Sequence, residues 1–303
     1  MLSFAYFARS LVLVSGYEEM NMSNIRIFSD STCDLPAELL QQYGIGIVPL
    51  YVVFEDETYR DGFDLTPAQL FDKVARQGKL PKSAAPSPAD FSRAFAPHIE
   101  QGERILYVSL SSELSSTYQN ACIAADDFEP GSVTVYDSLN LSTAIGIQVL
   151  RAVNLSQSGM DVKEIVQKLE SSRSRVETEF AIDTLEYLYK GGRCSGMQNL
   201  IGSLLSIRPI IKVMDGKMAP AYKVRGKREK AIDKMLQNFL ANKDRLEGPV
   251  VVVHAAAEED ARRLRETIIR ETGINDVMMT TAGCVISTHC GPGTIGLMYA
   301  KSN

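Results

Sequence analysis

This chain predicts an α/β protein built of two α/β domains in series, and three observations carry that reading. Short β-rich runs at 25–28, 105–110 and 132–136 alternate with helical patterns over 36–43, 115–126 and 139–158. Such alternation calls for a mostly parallel sheet with helices on both faces. The polar junction Arg173-Ser174-Arg175 is followed by a second alternation that starts at Phe180. A length of 303 residues, 45% of them hydrophobic and 23% charged, supplies core for two domains of ordinary size.

Each element has a local reason. After the strand at 25–28, a turn leads to the helix over 36–43, with Gly44 as its C′ residue. Residues 46–54 alternate apolar side chains and include Val and Tyr, which predicts one strand, and 58–59 pairs back on it beyond Glu55-Asp56-Glu57. Thr66-Pro67-Ala68-Gln69 opens a helix with Thr as N-cap, Pro at the first helical position and Gln three residues after the cap. Leu70, Phe71 and Val74 give that helix an apolar face, and Gly78 stops it. Ser87-Pro88-Ala89-Asp90 opens another helix through Phe91, Phe95 and Ile99, and a helix over 161–173 closes the first half.

The second half predicts helices near 185–190 and 195–204, then a strand over 208–214 that turns at Asp215-Gly216. A helix over 227–243, a strand over 249–255 and a helix over 258–272 follow. Strands over 277–280, 284–287 and 296–299 end the chain. The domains therefore read as 23–178 and 179–303. Residues 1–22 read as an N-terminal extension, an upstream start codon or an extra arm, because the charged start of a secretory signal is missing.

A net charge of −5 gives no global basic field for nucleic acid. No run of about 18 uncharged apolar residues is present, so no membrane-spanning helix is expected. The five cysteines, Cys33, Cys122, Cys194, Cys284 and Cys290, form no C-x-x-C pair, which fits free thiols in a reducing cytoplasm. Metal binding has weak support, since Cys284, His289 and Cys290 lack a second ligand cluster.

Chemistry concentrates in hydroxyl-rich segments that follow the predicted strands. They are Ser29-Asp30-Ser31-Thr32-Cys33-Asp34-Leu35-Pro36, the run from Ser109 to Gln119, Asp137-Ser138, and Ser287-Thr288-His289-Cys290-Gly291-Pro292-Gly293. Ligands of open α/β sheets sit beyond the carboxyl ends of the strands, where loop hydroxyls and helix-start N–H groups suit an oxyanion. These segments point to a small acid. Ser115 also suits an N-cap. Among the three histidines, His98 reads as incidental and His254 as structural, while His289 beside a Gly-Pro-Gly loop can donate to an oxyanion.

Gly291-Pro292-Gly293-Thr294-Ile295-Gly296 spells G-x-G-x-x-G, but only seven residues follow Gly296, too few for a dinucleotide fold. Those glycines suit a tight turn or a close approach to ligand. A Ser115–His289–Asp hydrolase triad lacks the G-x-S-x-G elbow. Lys223-Val224-Arg225-Gly226-Lys227-Arg228-Glu229-Lys230 places five cations at a helix start, against the helix dipole, which suits an acidic partner or a phosphate. Lys190-Gly191-Gly192-Arg193 presents a second arginine.

Taken together, these segments resemble the DegV family, over about Ser23 to Lys301. Ser29-Asp30-Ser31-Thr32-Cys33-Asp34-Leu35, Pro81-Lys82-Ser83-Ala84-Ala85-Pro86-Ser87 and Leu114-Ser115-Ser116-Thr117-Tyr118-Gln119 carry the likeness. Asp137-Ser138, Thr184-Leu185-Glu186-Tyr187-Leu188, Gly191-Gly192-Arg193, Ile207-Arg208-Pro209-Ile210 and Thr288-His289-Cys290-Gly291-Pro292-Gly293 extend it. The resemblance implies a bacterial, cytoplasmic fatty acid-binding protein of phospholipid synthesis, with one long-chain fatty acid between two domains and no cofactor. A separate fatty acid kinase subunit would phosphorylate the carboxylate to an acyl phosphate, with transient contact to a membrane surface.

The implied ligand-binding residues are Ser83, Ala84, Ser115, Ser116, Thr117, Thr288 and His289. Arg193 and Arg225 would meet the phosphate or the kinase. The family commonly has Thr-Ser-Gln-Pro or Thr-Ser-Ala-Pro where this chain has Ser83-Ala84-Ala85-Pro86, so one hydroxyl is absent at Ala84. The usual glycine is also replaced at Ser116. The competing readings are a serine hydrolase using Ser115 and His289, and a regulatory protein with a structural lipid.

Overall fold

The computed structural model describes residues 24–55, 57–194 and 207–302. The extension at 1–22 and the helix expected over 195–204 lie outside the described residues. In chain order the first half runs β1 (Ile25–Asp30), α1 (Ala37–Tyr43), β2 (Gly46–Val48), β3 (Tyr51–Phe54), β4 (Glu57–Arg60), α2 (Pro67–Gln77), β5 (Lys82–Ala84), α3 (Pro88–Glu100), β6 (Arg104–Ser109), α4 (Thr117–Ala125), β7 (Val133–Asp137), α5 (Thr143–Gln157) and α6 (Val162–Arg173). The second half runs β8 (Val176–Ala181), α7 (Glu186–Gly191), β9 (Ile207–Met214), β10 (Lys217–Arg225), α8 (Arg228–Leu240), β11 (Leu246–Ala255), α9 (Glu258–Thr272), β12 (Val277–Thr281), α10 (Cys284–Cys290) and β13 (Thr294–Lys301).

The first sheet is parallel, in the order β2-β1-β6-β7. Alternation along its strands sends side chains to opposite faces. Phe28, Ile105 and Tyr107 pack with Phe91 and Phe95 of α3 and Ala121 of α4. Ile27, Leu106 and Val108 pack with Ile145 and Val149 of α5. Thr66 and Ser87 form the expected N-caps, each completed as a capping box with Gln69 or Asp90. His98 has a structural role rather than none: its Nδ1 lies 2.5 Å from Glu103 Oε2, and its ring meets Phe28 edge-on.

The second sheet is mixed, in the order β10-β9-β8-β13-β11-β12, with only β11 and β12 parallel. Its outer face, including Val250, Val252 and Leu297, packs on α8 and α9 residues such as Phe239 and Leu264. Its inner face, including Val251, Val253 and Met298, meets Ala144 and Ile147 of α5. Helix α5 thus lies between the two sheets, and ten of its 15 residues are buried. A helix apolar on every side is what that position demands. The chain passes to the second sheet at Val176, ahead of the division expected between 178 and 179.

Several expected bounds shift for local reasons. The strand expected over 46–54 is two, because Pro49 supplies no N–H: β2 joins the parallel sheet, and β3 joins an antiparallel sheet in the order β4-β3-β5. The helix expected from 139 starts at Thr143, since Leu139 and Ser142 take left-handed φ of 47° and 53°. The helices expected over 115–126 and 227–243 shorten to α4 and α8.

The largest departure is at 284–287, expected as a strand and observed as the first turn of α10. Tertiary contact overrides the β-rich composition there. Gly283 N–H donates to Asp34 Oδ1 at 2.8 Å, and Cys284 N–H donates to Asp61 Oδ1 at 2.7 Å. Both carboxylates come from the first half of the chain and satisfy N–H groups at the helix start. Thr280 Oγ1 donates to the Asp34 carbonyl at 3.1 Å, and Cys284 Sγ donates to the Leu65 carbonyl at 3.1 Å.

Asp61→Ala strips Cys284 N–H of its buried acceptor and should lower the unfolding free energy by about 1–3 kcal/mol. Asp61→Asn keeps an acceptor and should cost much less. Urea unfolding of both variants at neutral pH measures the difference, and equal losses would mean that this cap contributes nothing.

Candidate functional site

A cavity of about 310 Å³ lies between the two halves. Leu50, Leu110 and Leu141 line it from the first half, and Phe180, Val253 and Met298 from the second. Helix α10 contributes Val285, Ile286, His289 and Cys290 to its wall. The polar groups on the same cavity include Ser83, Ser115, Ser116, Arg193 and His289.

Ser83 sits in β5 opposite Val52 of β3, and its Oγ lies 2.7 Å from His289 Nε2. His289 is in the last turn of α10, not in a loop after a strand as expected. Its Nδ1 is buried without a hydrogen-bond partner. Gly191 backs the ring, and a Cβ there would lie 2.5 Å from Nδ1. The absence of a side chain at Gly191 is therefore what admits the imidazole. Gly192, at a left-handed φ of 67°, ends α7. Arg193 follows, exposed, its Nη1 donating to the Gly191 carbonyl at 2.7 Å. Burial, helped by the Arg193 charge, pushes the His289 pKa down to about 4. The ring is neutral at pH 7.

Ser115 closes onto the start of α4. Its Oγ accepts from Thr117 N–H at 3.3 Å and lies 2.8 Å from Thr117 Oγ1. Ser116 occupies the position before the helix without a side-chain cap. Of the residues expected at the site, Ser83, Ala84, Ser115, Ser116, His289 and Arg193 line one cavity. Three do not. Thr117 is buried beneath Ser115, Thr288 is buried with an unpartnered Oγ1, and Arg225 lies exposed at the end of β10.

The sequence reading missed Ser142 and Thr294, which also line the cavity, and all of its apolar wall except Ala84. Phe180, Leu188 and Met218 carry no signal that separates a cavity wall from ordinary core. His254 borders the cavity as well. Its Nδ1 accepts from Ala257 N–H at 3.4 Å and burial lowers its pKa, which suits the structural role expected of it.

Two α/β units flank a partly open apolar slot with hydroxyls and a neutral imidazole on its wall, an arrangement that suits a small amphipathic molecule. The chain belongs to the DegV family: the model described as "Uncharacterised protein, DegV family" matches residues 24–302. A protein of Thermotoga maritima named fatty acid-binding protein is 32% identical over 281 residues, spanning 90% of this chain and 96% of that one. A Thermus thermophilus DegV family structure, described by its fatty acid binding, superposes with a TM-score of 0.85 at 34% identity, covering 91% of this chain and 99% of the other. DegV of Bacillus subtilis, described as a fatty acid binding protein, gives 0.82 at 30% identity, covering 92% and 100%. No helix among the described residues is long and apolar enough to cross a membrane.

The low His289 pKa has a consequence for stability. An unfolded histidine titrates near 6.5, so between that pH and about 4 the unfolded chain binds more protons than the folded one. The stability held by neutral His289 is complete above 6.5 and falls as the pH drops toward 4. His289→Gln should flatten the stability profile of the ligand-free protein by up to about one proton across that window. Urea unfolding at a series of pH values checks this, and an unchanged slope would show that the ring is not held neutral.

Proposed function

We propose that this protein carries a long-chain fatty acid in the cavity and presents its carboxylate, near Ser83, Ser115 and His289, to a separate kinase. A carboxylate oxygen would attack the γ-phosphorus of ATP bound to that kinase, ADP would leave, and an acyl phosphate would form. The observation that carries the reading is a partly open, mostly apolar slot whose wall includes the Ser83–His289 contact at 2.7 Å. The descriptions of the Thermotoga, Thermus and Bacillus relatives support it.

The energetics fit a carrier. Each buried methylene contributes about 0.8 kcal/mol, so an acyl chain has ample drive to enter. A carboxylate taken from water needs partners. The Ser83 and Ser115 hydroxyls and neutral His289 can donate to it, and the Arg193 guanidinium offsets its charge. Exposed Arg225 would act at the kinase or phosphate step, since it does not line the cavity. The nucleotide and its metal ion belong to the kinase in this scheme, and the sequence has no phosphate-binding nucleotide motif of its own.

The hydrolase reading fits less well. A general base must become an imidazolium during the reaction. Here burial and Arg193 oppose that charge, and His289 Nδ1 has no carboxylate to orient it. His289 also meets Ser83 rather than Ser115.

Denaturing extraction of the purified protein, followed by lipid mass spectrometry, should release a long-chain fatty acid at near-stoichiometric yield. Recovery of none, together with no binding of added palmitate, would sink the proposal. Ser115→Ala and His289→Ala should fold normally and lose acyl phosphate formation with a kinase partner, and unchanged turnover in both would remove them from the head-group site. Arg225→Ala should slow the kinase step more than it weakens lipid retention. Equal losses in both assays would argue against that division.

A further inference from the structure

Gly296 lies in the interior of β13, where glycine weakens a strand by about 0.5–1 kcal/mol relative to alanine. Its φ is not in the left-handed range, so backbone conformation does not require glycine there. Space does. Gly296 pairs with Phe180 of β8 on one side and Val253 of β11 on the other, and all three line the cavity. A Cβ on Gly296 would lie 2.7 Å from Val253 Cγ1, 3.0 Å from Met298 Cε and 3.2 Å from Met298 Sδ. The missing side chain thus lets Val253 and the Met298 thioether settle over the bare backbone.

Ala144 and Ile147 of α5 also pack on this face, so these atoms yield most easily toward the open space beside them. Behind them is the sheet, and its outer face is filled by the core of α8 and α9, including Ile295 and Leu297 of the same strand. In front of them is the cavity. Met298 also lies down the strand from Thr294, the first cavity-lining residue after α10, by about 13 Å at the usual rise per residue. The stretch from Gly296 to Met298 therefore leads away from the chain segment that carries His289.

We infer that Gly296, Val253 and Met298 set the length of acyl chain the slot accepts: the glycine keeps the valine methyl and the thioether back against the sheet, and any side chain there drives them into the space of the lipid tail. This deepens the fatty acid reading and rests on it. Gly296→Ala should weaken binding of stearic acid about tenfold, the loss of contact for roughly two methylenes, and change lauric acid by less than about threefold. The triple variant Gly296→Ala with Val253→Ala and Met298→Ala should recover stearic acid binding, because both groups that the new Cβ displaces are gone. Met298→Phe, which fills the same space without touching β13 backbone packing, should shift the preference toward lauric acid on its own.

Competition among lauric, palmitic and stearic acids for the delipidated protein, read by native mass spectrometry, tests this. A shift to shorter chains in Gly296→Ala or Met298→Phe, with recovery in the triple variant, supports the assignment. An unaltered length profile in the folded variants overturns it while leaving fatty acid binding intact. Failure of the wild-type protein to bind any of the three acids overturns the underlying reading instead.

Discussion

Helix α10 is the part of the structure on which the cavity depends, and two carboxylates from the other half of the chain hold its start. Asp34 and Asp61 accept from the consecutive N–H groups of Gly283 and Cys284. Both are buried, and burial raises the pKa of each. Desolvating two carboxylates is costly, so the arrangement persists only because each has hydrogen-bond donors. Ser142 Oγ donates to the other oxygen of Asp34, which joins the start of α5 to the same fork. Seven residues of helix would not be stable alone. Held at its start by Asp34 and Asp61 and near its end by the Ser83–His289 contact, α10 becomes a rigid wall shared by both halves.

That wall fixes the electrostatics of the polar lining. Among the described residues that line the cavity, Arg193 alone carries a fixed charge. His289 is kept neutral by burial and by that same arginine. An acid entering the cavity therefore meets neutral donors and one exposed guanidinium, not a buried ion pair. A buried pair would demand a large desolvation on every exchange of ligand. Neutral donors beside an exposed cation can hold an anion while leaving its second oxygen accessible.

Much of the scaffold was legible in the sequence because it is encoded locally. Thr66-Pro67-Ala68-Gln69 and Ser87-Pro88-Ala89-Asp90 give helix starts at the expected residues, and Gly44 and Gly78 give the stops. The errors fall where local signals meet long-range contacts. Cys284-Val285-Ile286 has the composition of a strand, and nothing nearby reveals that Asp34 and Asp61 will cap it as a helix. The hydroxyls around Ser115 and His289 stood out because they fall in hydroxyl-rich segments that follow predicted strands. The apolar wall did not, since Phe180, Leu188 and Met298 look in sequence like any other core residues. Thr117 and Thr288 were expected at the site from the family resemblance, beside Ser116 and His289. Helical geometry turns them away from the cavity, since adjacent residues on a helix do not share a face.

The run Gly291-Pro292-Gly293-Thr294-Ile295-Gly296 shows how one motif spelling can hold unrelated physical demands. Gly291 and Gly293 take φ of 74° and 81°, which the turn from α10 into β13 requires and L side chains resist. They are also crowded, by Tyr187 at Gly291 and by Arg228 and Asp183 at Gly293. Gly296 has neither a turn to make nor a left-handed backbone, and its neighbours are cavity-lining side chains. The first two glycines bring the chain back from the wall that carries His289, and the third thins the sheet beneath the slot. A nucleotide fingerprint would use such glycines to bring backbone toward phosphate. Here two of the glycines serve a turn and the third lies against an apolar cavity, so the space around each glycine, rather than their spacing, tells what each one does.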